Sequence, residues 1–398
     1  MLERLPPQPP DALLAVMAAF AADQSPDKVD LGVGVYKDER GATPVMAAVK
    51  AAEARLIAAQ HSKAYVGPAG NRTFAAFLEQ LVLGADHPAL VEGRVATLQT
   101  PGGCGALRLI ADLIVRTGAA DEILIGAPTW ANHHPLLTSA GLKAQPMPYY
   151  DITLGQLKFQ EMLSTLEAQR EGTVVLLQAS CHNPTGADLD PAQWSEVAAV
   201  LERRRLIPLI DMAYQGLGNG LDEDAASVRL LASRLPEVLI SVSCSKSFGL
   251  YRERVGAVVL VARSAAEASV GFAHLQMLAR RSYSMAPDHG AAIVATLGSD
   301  PALVDAWRTE LDAMRTRVNG LRHLLAEALA AEYGDRRYDH IATQRGMFSI
   351  LGALTPDVVT RLARDEHVYT APDGRINLAG LPEARVGYVA AAIRRVVP

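Results

Sequence analysis

Cysteine is scarce in this chain of 398 residues, which has only Cys104, Cys181 and Cys244. Three cannot form the even framework of a small secreted scaffold, and none stands at zinc-ligand spacing from a second cysteine or histidine. They read as reduced thiols, and no metal site is expected. A charge excess of one sign is also missing, since 38 basic and 43 acidic residues are spread along the chain for a net −5. With no basic stripe to neutralise a phosphate backbone, nucleic acid is not an expected partner. Long apolar runs are absent as well. The opening "MLERLPPQPPDALLAVMAAFAADQ" holds an alanine-rich stretch too short and too amphipathic for a secretory core or a membrane span, which implies a cytoplasmic protein without a membrane partner. No repeat, low-complexity tract or flexible linker is found, so any domain boundary should be a helix or close packing. What is present is a chain 49% hydrophobic and 20% charged, large enough for two domains with substantial cores.

Apolar residues at helical spacing mark "PDALLAVMAAFAAD", where Asp11 can cap, then "PVMAAVKAAEARLIAAQ" and "GALRLIADLIVRTG". Between helical stretches such as "PAQWSEVAAVLERRR" stand the short runs "EILIGA", "TVVLLQAS", "LIPLIDMAY", "EVLISVSCS" and "GAVVLVA". Their continuous rather than alternating apolarity predicts strands covered on both faces, the pattern of a mainly parallel sheet in an α/β domain. After residue 300 a long amphipathic run, "DAWRTELDAMRTRVNGLRHLLAEALAAEYG", precedes a short strand, "GMFSIL", and two more helical segments. The expected division is an N-terminal arm and part of a small domain over 1–44, a large domain over 45–300, and a small α+β domain completed by 301–398.

Ligands of such sheets collect beyond the carboxyl ends of the strands. Four runs end in polar groups there: Asp211 with Tyr214; Ser243, Ser245 and Lys246; Asn183; and Trp130, Asn132 and His133. One cofactor would use them all. An aldehyde on a cationic pyridine ring with a phosphate tail needs an amine, a carboxylate at the ring nitrogen, donors at the phenolate oxygen and an aromatic face. Asp211 suits the ring nitrogen. Lys246 suits the amine, and the arginines at 252 and 254 would favour its neutral form. Ser243 and Arg254 suit the phosphate, joined by the glycine-rich turn of "QTPGGCGALRLIADL", whose amides open a helix. Taken singly, each has a plainer reading. A lysine in a serine-rich loop is ordinarily solvated, an aspartate after a strand is often a cap, and Tyr214 and Trp130 would ordinarily be packing. His133 alone is a structural histidine, and Arg254 a weak surface pair. Their joint occurrence after successive strands carries the argument.

The segments "CHNPTG", "DMAYQG", "SCSKSFGLYRERVG" and "RINLAGL" resemble motifs of the aspartate and aromatic-amino-acid aminotransferases, class I among the fold-type I enzymes that use pyridoxal 5′-phosphate. The resemblance extends to "DLGVGVYKDERGATPVM", "KAYVGPAGN" and "APTWANHH". It implies that Lys246 attaches the cofactor and then carries the proton between the substrate α-carbon and the cofactor. Asp211 would pair with the pyridine nitrogen, backed by His133. Tyr214 and Asn183 would bond the phenolate oxygen, and Trp130 would stack on the ring. Gly103, Cys104, Ser243 and Arg254 would hold the phosphate, with Tyr65 reaching across from a second subunit of a homodimer. Arg375 would clamp the substrate α-carboxylate, assisted by Asn183, Trp130 and the backbone near Gly34. Arg280, with Arg281 adjacent, would take a distal carboxylate from the neighbouring subunit.

This chain departs from the family's pattern in places. Cys104 stands where threonine or serine is common, and Ala64 and Met285 stand where aspartate-selective members usually carry asparagine. Val35, Lys37 and Thr43 look like the aspartate enzymes. The expectation is a transaminase moving amino groups between tyrosine, phenylalanine or aspartate and 2-oxoglutarate, its partners being amino acids and 2-oxo acids. The alternatives are a strictly aspartate-selective enzyme or, within the same cofactor class, a lyase or decarboxylase, against which the pairing of Arg280 with Arg375 argues. A nicotinamide dehydrogenase lacks its fingerprint here, and a binding module that has lost catalysis would not keep the full polar set.

Overall fold

The structure, a computed structural model, describes residues 1–7 and 12–397. Asp11 lies outside the described residues, and the helix it was expected to cap runs Ala12–Ala22. At the centre is a seven-stranded sheet of β1 (Val95–Pro101), β2 (Glu122–Ala127), β3 (Lys143–Pro148), β4 (Val174–Gln178), β5 (Ile207–Met212), β6 (Val238–Ser243) and β7 (Val255–Val261). Their order is β1-β7-β6-β5-β4-β2-β3. All five expected apolar runs are strands in it, and β4, β5 and β6 are buried along their whole length except at Ile207.

The expected mainly parallel arrangement holds with one exception. β7 runs antiparallel to both its neighbours, β6 and β1. Apolar continuity reports that a strand is covered on both faces and carries no information on its direction. The direction follows from the connection, because the chain between Ser243 and Val255 is too short for a helical crossover and has to turn back. The two strands without a counterpart among the expected runs, β1 and β3, are the sheet's edges. β3, "KAQPMP", holds two prolines and is largely exposed, which an edge tolerates and a central strand does not.

Helices cover both faces. On one side α1 (Gly102–Thr117) and α3 (Ala265–Ser282) bury Leu107, Ile110 and Leu275 against Ile125, Leu209 and Val258. On the other, α2 (Pro191–Arg204) buries Trp194, Val197 and Leu201 in the same core as Val175, Ile210 and Val242. α2 begins in a reciprocal capping box of Asp190 and Gln193 with Pro191 in its first turn, which satisfies two end donors. The helix α4 (Pro301–Tyr333) is capped by Asp300 and stopped at Gly334, whose φ of 70° is left-handed. Its Trp307 is fully buried, stacks on Phe248 at 4.5 Å and donates its indole N–H to Ser247 O at 2.8 Å. Truncating such a residue to alanine typically costs about 3–5 kcal/mol. α4 is thereby fastened to the loop that follows β6. Three further strand pairs among the described residues lie outside the sheet: Val29–Asp30 runs parallel to Val368–Tyr369, Phe348–Ile350 antiparallel to Arg375–Asn377, and Tyr150–Asp151 antiparallel to Gln156–Leu157. The early chain is thus hydrogen-bonded into the late chain.

Candidate active site

A cavity of about 230 Å³ opens at the carboxyl ends of the strands and is lined by Gly34, Gly103, Cys104, Trp130, Asn183, Asp211, Tyr214, Ser243, Lys246 and Arg254, among others. Ten of the expected residues therefore meet in one place. Asp211, opposite Gln178 in the parallel register of β5 on β4, is 8% exposed. Its Oδ2 stands 3.2 Å from Nε2 of His133, which is completely buried and whose Nδ1 lies 2.7 Å from Thr129 Oγ1. A carboxylate only accepts, so Nε2 of His133 carries the proton that faces it. Trp130 meets His133 edge-on at 5.2 Å, which holds the ring at the cavity wall.

Asn183 Nδ2 donates to the Tyr214 hydroxyl at 3.1 Å. Burial raises the pKa of that phenol, against the opposing pull of Arg375, so the hydroxyl stays protonated and able to donate. The amine of Lys246 lies 4.9 Å from the centre of the Tyr214 ring. Burial, reinforced by Arg254 and Arg375 and opposed by Asp211 and Cys104, lowers its pKa below the ordinary lysine value. The neutral amine is the nucleophilic and basic form.

At the far end of the cavity the first turn of α1 meets Arg254. Gly102 has φ +73°, and a Cβ there would sit 2.6 Å from Arg254 Nη2, so only glycine lets the guanidinium approach the helix N-terminus. Arg254 is held by Tyr251 O at 3.1 Å and Ser245 Oγ at 3.5 Å. Helix amides, the Ser243 hydroxyl and a guanidinium together form an anion cradle. Arg375 Nη1 donates to Asn183 Oδ1 and Nη2 to Gly32 O, each at 3.2 Å, while its Nε is buried with no partner among the described residues. A buried orphan donor marks a place for an acceptor from outside.

Tyr65 and Arg280 stand apart. Tyr65 is 90% exposed, and Arg280 is exposed near the end of α3. Neither lines the cavity.

The family model described as "Aminotransferase class I and II" matches residues 26–393. This chain belongs to the class I and II aminotransferases. Among relatives of this aminotransferase, the tyrosine aminotransferase of Rhizobium meliloti (strain 1021) is 49% identical over 98% of both chains. The aspartate aminotransferase of Haemophilus influenzae is 40% identical over the whole of both. Of solved structures, the aromatic-amino-acid aminotransferase of Burkholderia pseudomallei, covalently bound to pyridoxal phosphate, superposes with a TM-score of 0.97 at 40% identity over the whole of both chains. The fold-type I α/β architecture expected of the sequence is borne out.

Sequence reasoning passed over several residues that build the candidate site. Gln178 ends β4 and holds Asn183 from both sides, donating to its carbonyl at 3.0 Å and accepting from its amide at 2.8 Å. Its signal was the same as that of Asp211, a polar residue closing an apolar strand. Thr129, which fixes His133, stands in a loop without periodicity. Phe348 sits 4.4 Å from the Arg375 guanidinium and edge-on to Tyr214. As part of "GMFSIL" it read as one more core residue.

Proposed function

We propose that this aminotransferase moves amino groups between aromatic amino acids or aspartate and 2-oxoglutarate, using pyridoxal 5′-phosphate in a cytoplasmic homodimer with shared active sites. The observation that carries this reading is the convergence of Lys246, Asp211, Tyr214 and Arg254 on one cavity, with the orphaned Arg375 Nε beside Asn183. The residues fit the cofactor: the Gly102 cradle that a Cβ would fill suits its phosphate, and the buried Asp211 suits a protonated ring nitrogen. Lys246 would hold it covalently, Trp130 would cover one face, and Gly103, Cys104, Ser243 and Arg254 would hold its phosphate. When bound, the cofactor supplies a sink for the electrons left at the amino acid's α-carbon.

As a free amine, Lys246 Nζ would take the α-proton and return it at the other end of the transfer, acting as a base because burial favours its neutral form. His133 keeps the Asp211 carboxylate oriented, and Asn183 with Tyr214 presents donors to the same cavity. Arg375 orients the α-carboxylate, and its planar fork suits bidentate pairing. Tyr65 and Arg280 extend from the surface to serve the neighbouring subunit's site. Residues 45–300 would form the large domain, and 1–44 with 301–398 the arm and small domain, a division supported by the pairing of Val29–Asp30 with Val368–Tyr369. Three unpaired cysteines support the cytoplasmic location, and no helix among the described residues is long and apolar enough to cross a membrane.

Ala64 and Met285 leave the side-chain end of the pocket less polar, which favours aromatic substrates, while Arg280 retains acidic ones. Arg280→Ala is expected to lower kcat/KM for aspartate about 100-fold, the scale of one lost charge-assisted contact, and that for phenylalanine less than about threefold. Equal losses for the two amino acids refute this role of Arg280.

A further inference from the structure

Arg322 lies on α4, wholly buried, and lines no part of the active-site cavity. Every hydrogen bond of its guanidinium ends on a main-chain carbonyl: Nε on Gly346 at 3.2 Å, Nη1 on Ile341 at 3.3 Å, and Nη2 on Arg345, Gly346 and Phe348 at 3.0, 2.6 and 2.5 Å. Burial brings its pKa down to about 10. A cation dissolved in carbonyls rather than paired with a carboxylate is an expensive way to fill space, and an apolar side chain of similar volume would ordinarily serve stability as well. What it does provide is geometry, because a planar fork fixes several acceptors at once.

The acceptors belong to the turn over 341–348, which interlocks with the loop over 181–186. Arg345 N donates to Gly186 O at 2.8 Å. A Cβ on Gly186 would lie 2.4 Å from Phe348 O and 3.0 Å from Arg322 Nη2, and one on Gly346, where φ is +77°, would lie 2.3 Å from Cys181 Cβ. Not even a methyl group fits between the two segments. Both feed the site. The loop delivers Asn183, which bridges Tyr214 and Arg375. The turn ends in Phe348, whose ring covers the Arg375 guanidinium at 4.4 Å.

We propose that Arg322 is a positioning residue for substrate binding: by binding the 341–348 turn against the 181–186 loop it sets Phe348 and Asn183, and through them the Arg375 fork. The proposal rests on the reading of Arg375 as the carboxylate clamp. It gives a buried cation remote from the cavity a share in carboxylate affinity.

The test compares holoenzymes carrying Arg322→Lys, Phe348→Leu, the two together, and Arg375→Ala. Dissociation constants for 3-phenylpropionate and succinate are measured by calorimetry, alongside cofactor content and thermal unfolding. Arg322→Lys should weaken both acids about tenfold or more and raise KM for amino acids similarly, as small displacements of a binding group do, with kcat within about threefold and cofactor content unchanged. The double variant should be no weaker than the weaker single, because both act along one path. Unchanged affinity in a folded Arg322→Lys protein overturns the proposal, as do losses that simply multiply. Should that variant fail to fold, Phe348→Leu alone must give the same KM-weighted loss, wild-type affinity there counting against the proposal. Wild-type binding by Arg375→Ala would instead remove the clamp reading itself.

Discussion

The interior of the site and the exposed surface that carries Tyr65 and Arg280, here the rim, are built in opposite ways. In the interior, polar groups are answered by others from the same chain along a connected series: Asp211 by His133, His133 by Thr129, Asn183 by Gln178, Tyr214 and Arg375. At the rim, Tyr65 and Arg280 extend into solvent from a loop and from α3. The interior is organised before any ligand arrives, so its groups lose little freedom on binding. The rim, under the proposed reading, acquires its partners only when a second copy docks.

The contrast is broken most severely at the amine. Lys246→Ala should reduce turnover at least about 10⁴-fold, the upper range for a positioned acid–base group, and abolish the absorbance of lysine-attached cofactor while far-ultraviolet circular dichroism stays unchanged. Turnover near the wild-type rate would remove the amine from the mechanism. The rim gives a smaller effect with a sharper signature. Tyr65→Phe should weaken cofactor binding about 10- to 100-fold, the value of one charge-assisted hydrogen bond. If Tyr65 serves the other subunit, mixing Tyr65→Phe chains with Lys246→Ala chains should restore tight binding at one site per hybrid dimer, read by equilibrium dialysis. No restoration would place Tyr65 outside the shared site.

The smallest effect distinguishes the two regions by pH. His182 is buried and stacked on Tyr149 at 4.1 Å, and burial followed by the nearby His133 lowers its pKa to about 3. Between pH 6.5 and about 3 the unfolded chain protonates this ring and the folded chain does not, so its contribution to stability is lost as pH falls. The stability gap between wild type and His182→Gln should therefore narrow over that window, by at most about 1.4 kcal/mol per pH unit. Asp188, raised by burial to about 6, acts with the opposite sign in both proteins and drops out of the difference. A gap constant with pH in urea titrations would show that His182 is protonated in the fold.

How much of this was legible in the sequence follows the same division. Asp211, Asn183 and Lys246 could be found because each closes or shortly follows an apolar strand, and strand ends are where an α/β sheet gathers its chemistry. The strand "EILIGA" coincides with β2. The direction of β7 was not legible, since coverage on both faces looks the same whichever way a strand runs. β3 was hidden by its prolines, and the prolines make sense once it is an edge. Phe348 and Arg322 were hidden for another reason. Their importance lies in contacts between segments far apart in sequence, which no local pattern records.

The reversal at β7 has one more consequence. A loop leaving a parallel strand is usually tethered at a single end and trails into a crossover helix. Here Ser243 and Gly256 face each other across β6 and β7, so residues 244–255 form a closed handle clasped at its base by sheet hydrogen bonds. Lys246 stands just past one hinge of that handle and Arg254 just before the other. The ladder thus ties together the two ends of the handle that carry the amine and the guanidinium.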